Sequence, residues 1–560
     1  MNTKILFQKK ILPTFFSPRI VLAALILIGL LLRTYNLDWG APFYFHPDER
    51  NVISAVTALD VTQSLNPHFF AYGSAPLYII YFLGVIFSFI KDGTITPIVA
   101  FSDAIIIGRV LSTFFSIGTI LLLYKTALLF VSRRAAMFCA FFATFSVGFI
   151  QYAHFGTFES YLTFFSLLLF YLCVQYITRK SFLYFIYACI IVGVLVSLKI
   201  SSLVLFPIPL FVALILYKKT FISASFSKKL LLLLKALGIG LIEILIILVT
   251  FLLLNPYAVI DFQAFASSIQ YESAVGTGSL PVFYTGTFYN TLPFWYHATK
   301  IFPFLLTPIL WIVFLTSIPI LIKKTYFKKD IKLFFLLLFF LFLSIPQAVL
   351  FVKWTRYMIL TLPFIYILLC CAGEYLYKAI PKKHTKILFS YTVFVCLLVI
   401  LSITHSLIFI RTVYVQKDTR ILAAEFAINA LPKSSKILSE VYDLGIIPFN
   451  DHFPIITLFD FYALDIDPLK KSELPDVLSQ HDYFIVLSQR IQKSRLQNPE
   501  NFPVGYAFYS QVFEETNFTL VYSTPCDIWC KILYIGDPMY GVEDTANVFD
   551  RPQVSIYKIE

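Results

Sequence analysis

Long, almost uninterrupted apolar runs recur through the first 410 residues of this chain, at Ile20–Leu32, Leu230–Leu254 and Leu333–Leu343 among others. A water-facing fold cannot bury so many. A helix that closes its own backbone hydrogen bonds can carry each of them through lipid. With 59% hydrophobic and 18% aromatic residues, the chain lies outside the range of soluble domains. The expected class is a polytopic α-helical membrane protein.

Charge divides the chain in two. Residues 1–410 carry 31 Lys and Arg against 12 Asp and Glu, a balance of +19, and residues 411–560 carry 13 against 20, a balance of −7. A basic membrane half with an acidic tail argues against nucleic acid as partner. It fits Lys and Arg held at a cytoplasmic face, with a separate domain at the C-terminus. The first helix lacks a small-residue cleavage site, so no cleavable signal peptide is expected.

Basic clusters orient the spans. Lys4, Lys9, Lys10 and Arg19 precede helix 1 (about 18–35), which predicts a cytoplasmic N-terminus. Further spans are read at about 108–130, 135–152, 160–178, on either side of Lys199, and at 231–254, 301–322, 331–351, 359–377 and 387–410. Arg133-Arg134, Arg179-Lys180, Lys218-Lys219, Lys228-Lys229, Lys323-Lys324, Lys328-Lys329 and the run Lys378 to Lys386 then fall on the cytoplasmic side. Pro76–Ile90 is read as an interfacial helix, since counting it as a span would put Arg133-Arg134 and most later clusters outside. The expectation is therefore about 11 transmembrane helices in a domain covering 1–411, with 412–560 forming a small extracytoplasmic α/β domain. In that domain Lys436–Glu440, Tyr483–Ser488, Thr519–Ser523 and Val554–Lys558 read as strands, and Thr419–Leu431 as a helix closed by Pro432. The outer segment 255–300 contains Gly276, Gly278 and neighbouring Ser residues, and is expected to be a mobile loop over the site. Cys526 and Cys530 lie in the outer domain, where a thiol pair can oxidise, and no further Cys or His nearby completes a metal site.

Under this topology several polar residues meet on the outer face. Asp48 and Glu49 follow helix 1, in the sequence Phe45-His46-Pro47-Asp48-Glu49-Arg50. Arg109 opens the next span, His154 and Glu159 sit in a short turn, Lys199 lies between two spans, and Lys353, Arg356 and Tyr357 lie in another turn. Lys353 and Arg356, three apart, are read as binding one phosphate, Arg through its fork and Lys as a point charge. The chemistry these groups suggest is sugar transfer from a lipid-linked phosphosugar. Cations at headgroup depth stabilise the departing phosphate, and a carboxylate takes the proton of the attacking hydroxyl. Asp48 is the candidate base, and direct displacement with one base inverts the anomeric carbon.

Residues 1–410 resemble the GT-C superfamily, specifically polyprenyl-phosphate-sugar transferases related to protein O-mannosyltransferases and lipid A aminoarabinose transferases. The resemblance rests on Asp48-Glu49 in the first outer loop, Ser74-Ala75-Pro76-Leu77-Tyr78, Gly108-Arg109-Val110-Leu111-Ser112, and the turn from Gln151 through His154 to Glu159. Ala75 stands where the family usually has Pro, and Glu159 where it has Asp. The resemblance implies that Asp48 is the catalytic acid/base residue, with Glu49 and Glu159 as supporting acids. The resulting expectation is an inverting glycosyltransferase in the cytoplasmic (plasma) membrane. It would take a polyprenyl-phosphate sugar as donor and a protein, lipid or glycan as acceptor, with substrate held by Arg109, His154, Lys199, Lys353, Arg356 and Tyr357. No resident cofactor or metal site is expected, a divalent ion remaining open. The alternatives are a membrane transporter, against which the one-sided clustering of charge argues, or a non-catalytic glycan-binding envelope protein.

Overall fold

The structure, a computed structural model, describes residues 17–223, 225–514 and 516–560, with the side chains at 217–220, 327 and 328 excepted. Lys4, Lys9 and Lys10, the side chains of Lys218 and Lys219, and that of Lys328 therefore lie outside the described residues.

The described part of the membrane half is mostly helical. In chain order it comprises α1 (Pro18–Thr34), α2 (Pro47–Thr57), α3 (Ser74–Asp92), α4 (Phe101–Ala127), α5 (Arg133–Thr144), α6 (Val147–Gln151), α7 (Glu159–Arg179), α8 (Phe182–Leu198), α9 (Ile208–Ile222) and α10 (Phe226–Leu254). There follow α11 (Tyr257–Ile260), α12 (Phe262–Thr277), α13 (Phe302–Leu306), α14 (Pro308–Lys328), α15 (Ile331–Val349), α16 (Thr355–Met358), α17 (Leu362–Ala379) and α18 (Thr385–Ile410). Among the described residues, 8 helices are long and apolar enough to cross a membrane. Seven match expected spans; the eighth is Ser74–Asp92, which the charge pattern places at the interface and which here has spanning length. The remaining expected spans are shorter: α1 has 17 residues, α5 has 12, and the helices on either side of Lys199 fall below spanning length.

The breaks have local causes. The expected span 135–152 is two helices, because Ser146 caps a new one by accepting from Phe149 N, while the carbonyls of Ala143 and Thr144 turn to the buried Arg33 guanidinium (2.9 and 3.1 Å). The expected span 301–322 stops at Thr307, the residue before Pro308, which a following proline drives out of helical geometry. Thr307 has φ 113° and caps α14 through Leu310 N at 3.1 Å. The segment 255–300, expected as a loop, is largely helical, with α12 alone spanning 16 residues.

The C-terminal domain is built on a five-stranded sheet of β1 (Lys436–Glu440), β2 (Ile455–Phe459), β3 (Tyr483–Val486), β4 (Phe518–Ser523) and β5 (Ser555–Ile559), in the order β2-β1-β3-β5-β4. The first three strands are parallel, and β5 runs antiparallel to β3 and β4. Four strands and the helix α19 (Thr419–Ala430) fall where the sequence put them. Alternate residues face opposite layers: Leu438, Phe484 and Val486 pack with Phe461 and Phe508, while Ile437, Ile485 and Ile556 pack with Ala423 and Ala427 of α19. The helices α20 (Pro468–Ser479), α21 (Arg490–Gln497), α22 (Pro503–Phe513) and α23 (Ile528–Leu533) complete the domain, and Cys526 and Cys530 are joined in a disulfide at the start of α23.

The two halves interlock. Gln151 Nε2 donates to Ala546 O (2.9 Å) and Asp550 Oδ2 (3.0 Å), Lys300 Nζ to Tyr540 O (2.6 Å), and Asn36 Nδ2 to Tyr414 O (2.9 Å). His46 stacks on Phe549 with centroids 4.1 Å apart, and the Arg420 guanidinium lies 4.0 Å over Phe45. The segment 537–551 is thus pressed onto the end of the helical bundle that carries Asp48.

Candidate active site

Asp48 and Glu49 occupy the first turn of α2. His46 caps this helix through Glu49 N (3.4 Å), Pro47 pre-sets its first dihedral, and the two carboxylates meet the positive end of the helix dipole. Consecutive helical residues point roughly 100° apart, so the pair divides.

Glu49 turns inward and has no solvent exposure. Arg109 grips it through Nε (2.8 Å) and Nη2 (2.7 Å), and Gly156 N donates to Oε1 at 2.7 Å. Arg109 Nη1 donates to Leu37 O and Trp39 O, and its guanidinium lies 4.6 Å over the Trp39 ring. A Cβ at Gly156 would come 2.9 Å from Glu49 Oε1, so the close approach requires glycine. Glu49 and Arg109 satisfy one another, and neither lines the cavity described below. His154 sits between Ile150 O (Nδ1, 2.8 Å) and Tyr35 O (Nε2, 3.0 Å), stacked 3.8 Å from Tyr414, and does not reach the cavity either.

Asp48 turns outward, into a cavity of about 400 Å³ between the helical bundle and the C-terminal domain. Its Oδ2 accepts from Arg356 Nη1 at 2.5 Å. Burial alone would raise its pKa, but Arg356, His46 and Arg490 together outweigh it and hold Asp48 below the usual carboxylate range. Arg356 also approaches the Tyr72 hydroxyl (3.4 Å) and lies over Trp354 (4.3 Å), while its Nε is buried with no partner among the described residues. Lys199, in the break after α8, has Nζ 4.9 Å from the Tyr357 ring and 5.5 Å from Tyr72. Burial, reinforced by Arg356, lowers its pKa to about 8. Tyr357 lines the cavity beside them.

Glu159 opens α7 and lines a smaller cleft of about 40 Å³ that shares Lys199, Arg356 and Tyr357 with the main cavity. Its Oε2 is buried without a hydrogen-bond partner among the described residues. The cleft walls are otherwise Leu162, Val204, Leu205, Leu343 and Leu360, with Ser201, Ser202 and Gln347 between.

Lys353 departs from the expected phosphate pair. Trp354 is the extended N-cap of α16, so Lys353 precedes the helix that carries Arg356 and points elsewhere. It is 3% exposed, donates to Phe351 O at 2.9 Å, and does not line the cavity. A spacing of three puts two side chains on one face only when both are helical.

Other lining residues were not read from the sequence: Tyr72, Glu272 and Trp354 in the membrane half, and Arg490, Glu543, Asp544 and Thr545 in the C-terminal domain. Burial raises the pKa of Glu272, against Lys199 and Arg356. The acids of the tail carried no local signal, because that half is acidic along its length. Among the described residues no three of His, Cys, Asp and Glu converge as metal ligands.

The family model for dolichyl-phosphate-mannose-protein mannosyltransferases matches residues 24–271. Two structures of the Archaeoglobus fulgidus oligosaccharyltransferase are similar. One, AglB with an inhibitory peptide and a dolichol-phosphate, superposes with a TM-score of 0.52 at 11% identity, over 97% of this chain and 88% of that one. The other, tethered to an acceptor peptide, gives 0.53 at 12% identity over the same shares. ArnT from Cupriavidus metallidurans bound to undecaprenyl phosphate gives 0.46 at 11%, over 96% of this chain and 97% of that one. Among curated proteins, none matches the sequence.

Proposed function

We propose that this chain, whose fold is that of the GT-C membrane glycosyltransferases, transfers a sugar from a polyprenyl-phosphate donor to an acceptor hydroxyl outside the cytoplasm, with inversion. The observation that carries the reading is the meeting of Asp48, Arg356 and Lys199 in one cavity at the end of the helical bundle. The neighbouring cleft joins an apolar wall to the same two cations, as a phosphate on an isoprenoid tail requires. A lipid phosphate is reported in one A. fulgidus structure, which adds support.

In the step, Asp48 accepts the acceptor's O–H proton while that oxygen bonds to the anomeric carbon. The bond from that carbon to the phosphate oxygen breaks, and polyprenyl phosphate leaves with the electron pair. Arg356 and Lys199 stabilise the charge that builds on the phosphate. The Asp48–Arg356 pair also couples binding to basicity. An incoming phosphate draws on the Arg356 guanidinium, so Asp48 loses part of what holds its pKa down and becomes a stronger base when donor is present.

The test is incubation of purified protein with a panel of polyprenyl-phosphate sugars, following release of polyprenyl phosphate, with Asp48→Asn alongside. Asp48→Asn is expected to lower turnover by about 10²–10⁴-fold, with donor binding changed far less. Normal turnover in the folded variant would remove Asp48 from the mechanism.

A further inference from the structure

Glu543 belongs to the C-terminal domain, yet its carboxylate closes on the first turn of α16 in the membrane half. Oε2 accepts from Thr355 N (2.8 Å), Thr355 Oγ1 (2.7 Å) and Thr545 Oγ1 (2.5 Å), and Oε1 accepts from Thr545 N (3.0 Å). The side chain is completely buried. The first N–H groups of a helix have no partner within it, and a side chain at the N-cap usually supplies one. Here the N-cap is Trp354, which makes no such bond. Glu543 does so from another domain. The residue after Thr355 is Arg356, whose Nη1 reaches Asp48 at 2.5 Å.

We propose that Glu543 is a positioning residue: by capping the Thr355 turn from the C-terminal domain, it fixes the Arg356 guanidinium against Asp48 and makes that domain a working part of the site. The inference rests on the roles given above to Asp48 and Arg356. Asp48 is faced by Arg356 and Tyr357, by His46 of its own turn, by Arg490 of α21, by Lys199 and Tyr72, and by Glu272 of α12 and Tyr284. Of these, the Arg356 guanidinium does most to lower its pKa, and Arg356 follows directly on the Thr355 turn that Glu543 caps. If the turn loosens, Asp48 moves back toward the raised pKa that burial imposes. The acid limb of kcat/KM then moves to higher pH.

The experiment measures kcat/KM against pH, with whichever polyprenyl-phosphate sugar of the panel the wild type turns over. Glu543→Ala is expected to raise the acid limb by about one pH unit and to lower kcat by about tenfold, and Thr355→Val, which removes the hydroxyl bond but keeps the N–H bond, to shift both in the same direction by less. Glu543→Gln keeps an oxygen at the Oε2 position, which makes three of the four bonds, and is expected to stay near the wild-type profile. Thr355→Ser keeps the hydroxyl and is expected to do the same. A Glu543→Gln profile equal to that of Glu543→Ala would mean that Glu543 acts by its charge, which overturns positioning. A folded Glu543→Ala with the wild-type acid limb overturns it as well. If Glu543→Ala does not fold, Thr355→Val decides by the same criterion. Lys471→Ala, on the exposed face of α20, serves as the unchanged control in the same domain. Asp48→Asn separates the two readings: if it is inactive while Glu543→Ala behaves as wild type, only the positioning role fails, and if it is fully active the role of Asp48 fails and positioning falls with it.

Discussion

Asp48 and Glu49 are adjacent in sequence, and the helix that carries them turns one toward the cavity and the other into the protein. Their variants are expected to differ accordingly. Arg109→Ala leaves Glu49 as a buried, uncompensated carboxylate and is expected to cost about 3–5 kcal/mol of stability. A thermal melt in detergent reads this as a large fall in Tm; an unchanged Tm would mean that the pair is not buried as described. The site's pH dependence follows from two lowered pKa values, one on an acid and one on a base. Asp48 is a base only when deprotonated, and its lowered pKa keeps it so as pH falls from neutral. The acid limb of kcat/KM is therefore expected below the ordinary carboxylate range. Lys199 holds phosphate only when protonated, and burial has lowered its pKa to about 8. Donor KM is expected to rise as pH climbs through that value, and Lys199→Met to raise donor KM and flatten the alkaline limb. An alkaline limb that survives in Lys199→Met belongs to another group.

At the scale of elements, the membrane helices were legible because hydropathy declares them. Of their interruptions, the one at Lys199 was read from the sequence and the others were not. The break after Thr144 depends on Arg33, distant in sequence, taking the last carbonyls of α5. Only the break at Thr307-Pro308 had a local cause that a reading of proline could have found. The break that matters most for the site is the one at Lys199, and it is held by a close fit. Gly73 N donates to Leu198 O at 3.0 Å, and a Cβ on Gly73 would lie 1.7 Å from Ser197 O. Gly73→Ala is therefore expected to push the start of α3 off the end of α8, at a cost of about 1–3 kcal/mol, and to raise donor KM by displacing Lys199. Wild-type stability and donor KM in this variant would show that the contact yields freely. The missed strand β2 is short, apolar and at the sheet edge, with too little alternation to register as a strand.

At the scale of the whole molecule, one cavity is walled by both halves, so Asp48 and the C-terminal domain share a side of the membrane. With the basic clusters inside, that side is expected to be the outer one. A cysteine introduced in place of the exposed Lys471 is expected to react with an impermeant maleimide in intact cells. Labelling only after lysis would invert the topology and, with it, the side on which the acceptor is met.

The sequence alone determined that this chain is a helical protein with several spans long and apolar enough for a membrane and a C-terminal part of mixed strands and helices, and its motifs carried the resemblance to the GT-C fold. These follow from properties each segment carries in itself: apolar length, charge balance, and the order of short motifs. It also singled out Asp48, Lys199 and Arg356, because charged groups at the outer helix ends are scarce enough to stand out, and Tyr357 as the neighbour of Arg356. Only the tertiary structure decided that Glu49 and Arg109 neutralise each other, that Lys353 points away from Arg356, and that Glu543 caps the turn next to Arg356. Those outcomes depend on which residue meets a given polar group once it leaves water, and a buried charge takes its partner from whatever the packing brings within about 3 Å, however far away in the chain.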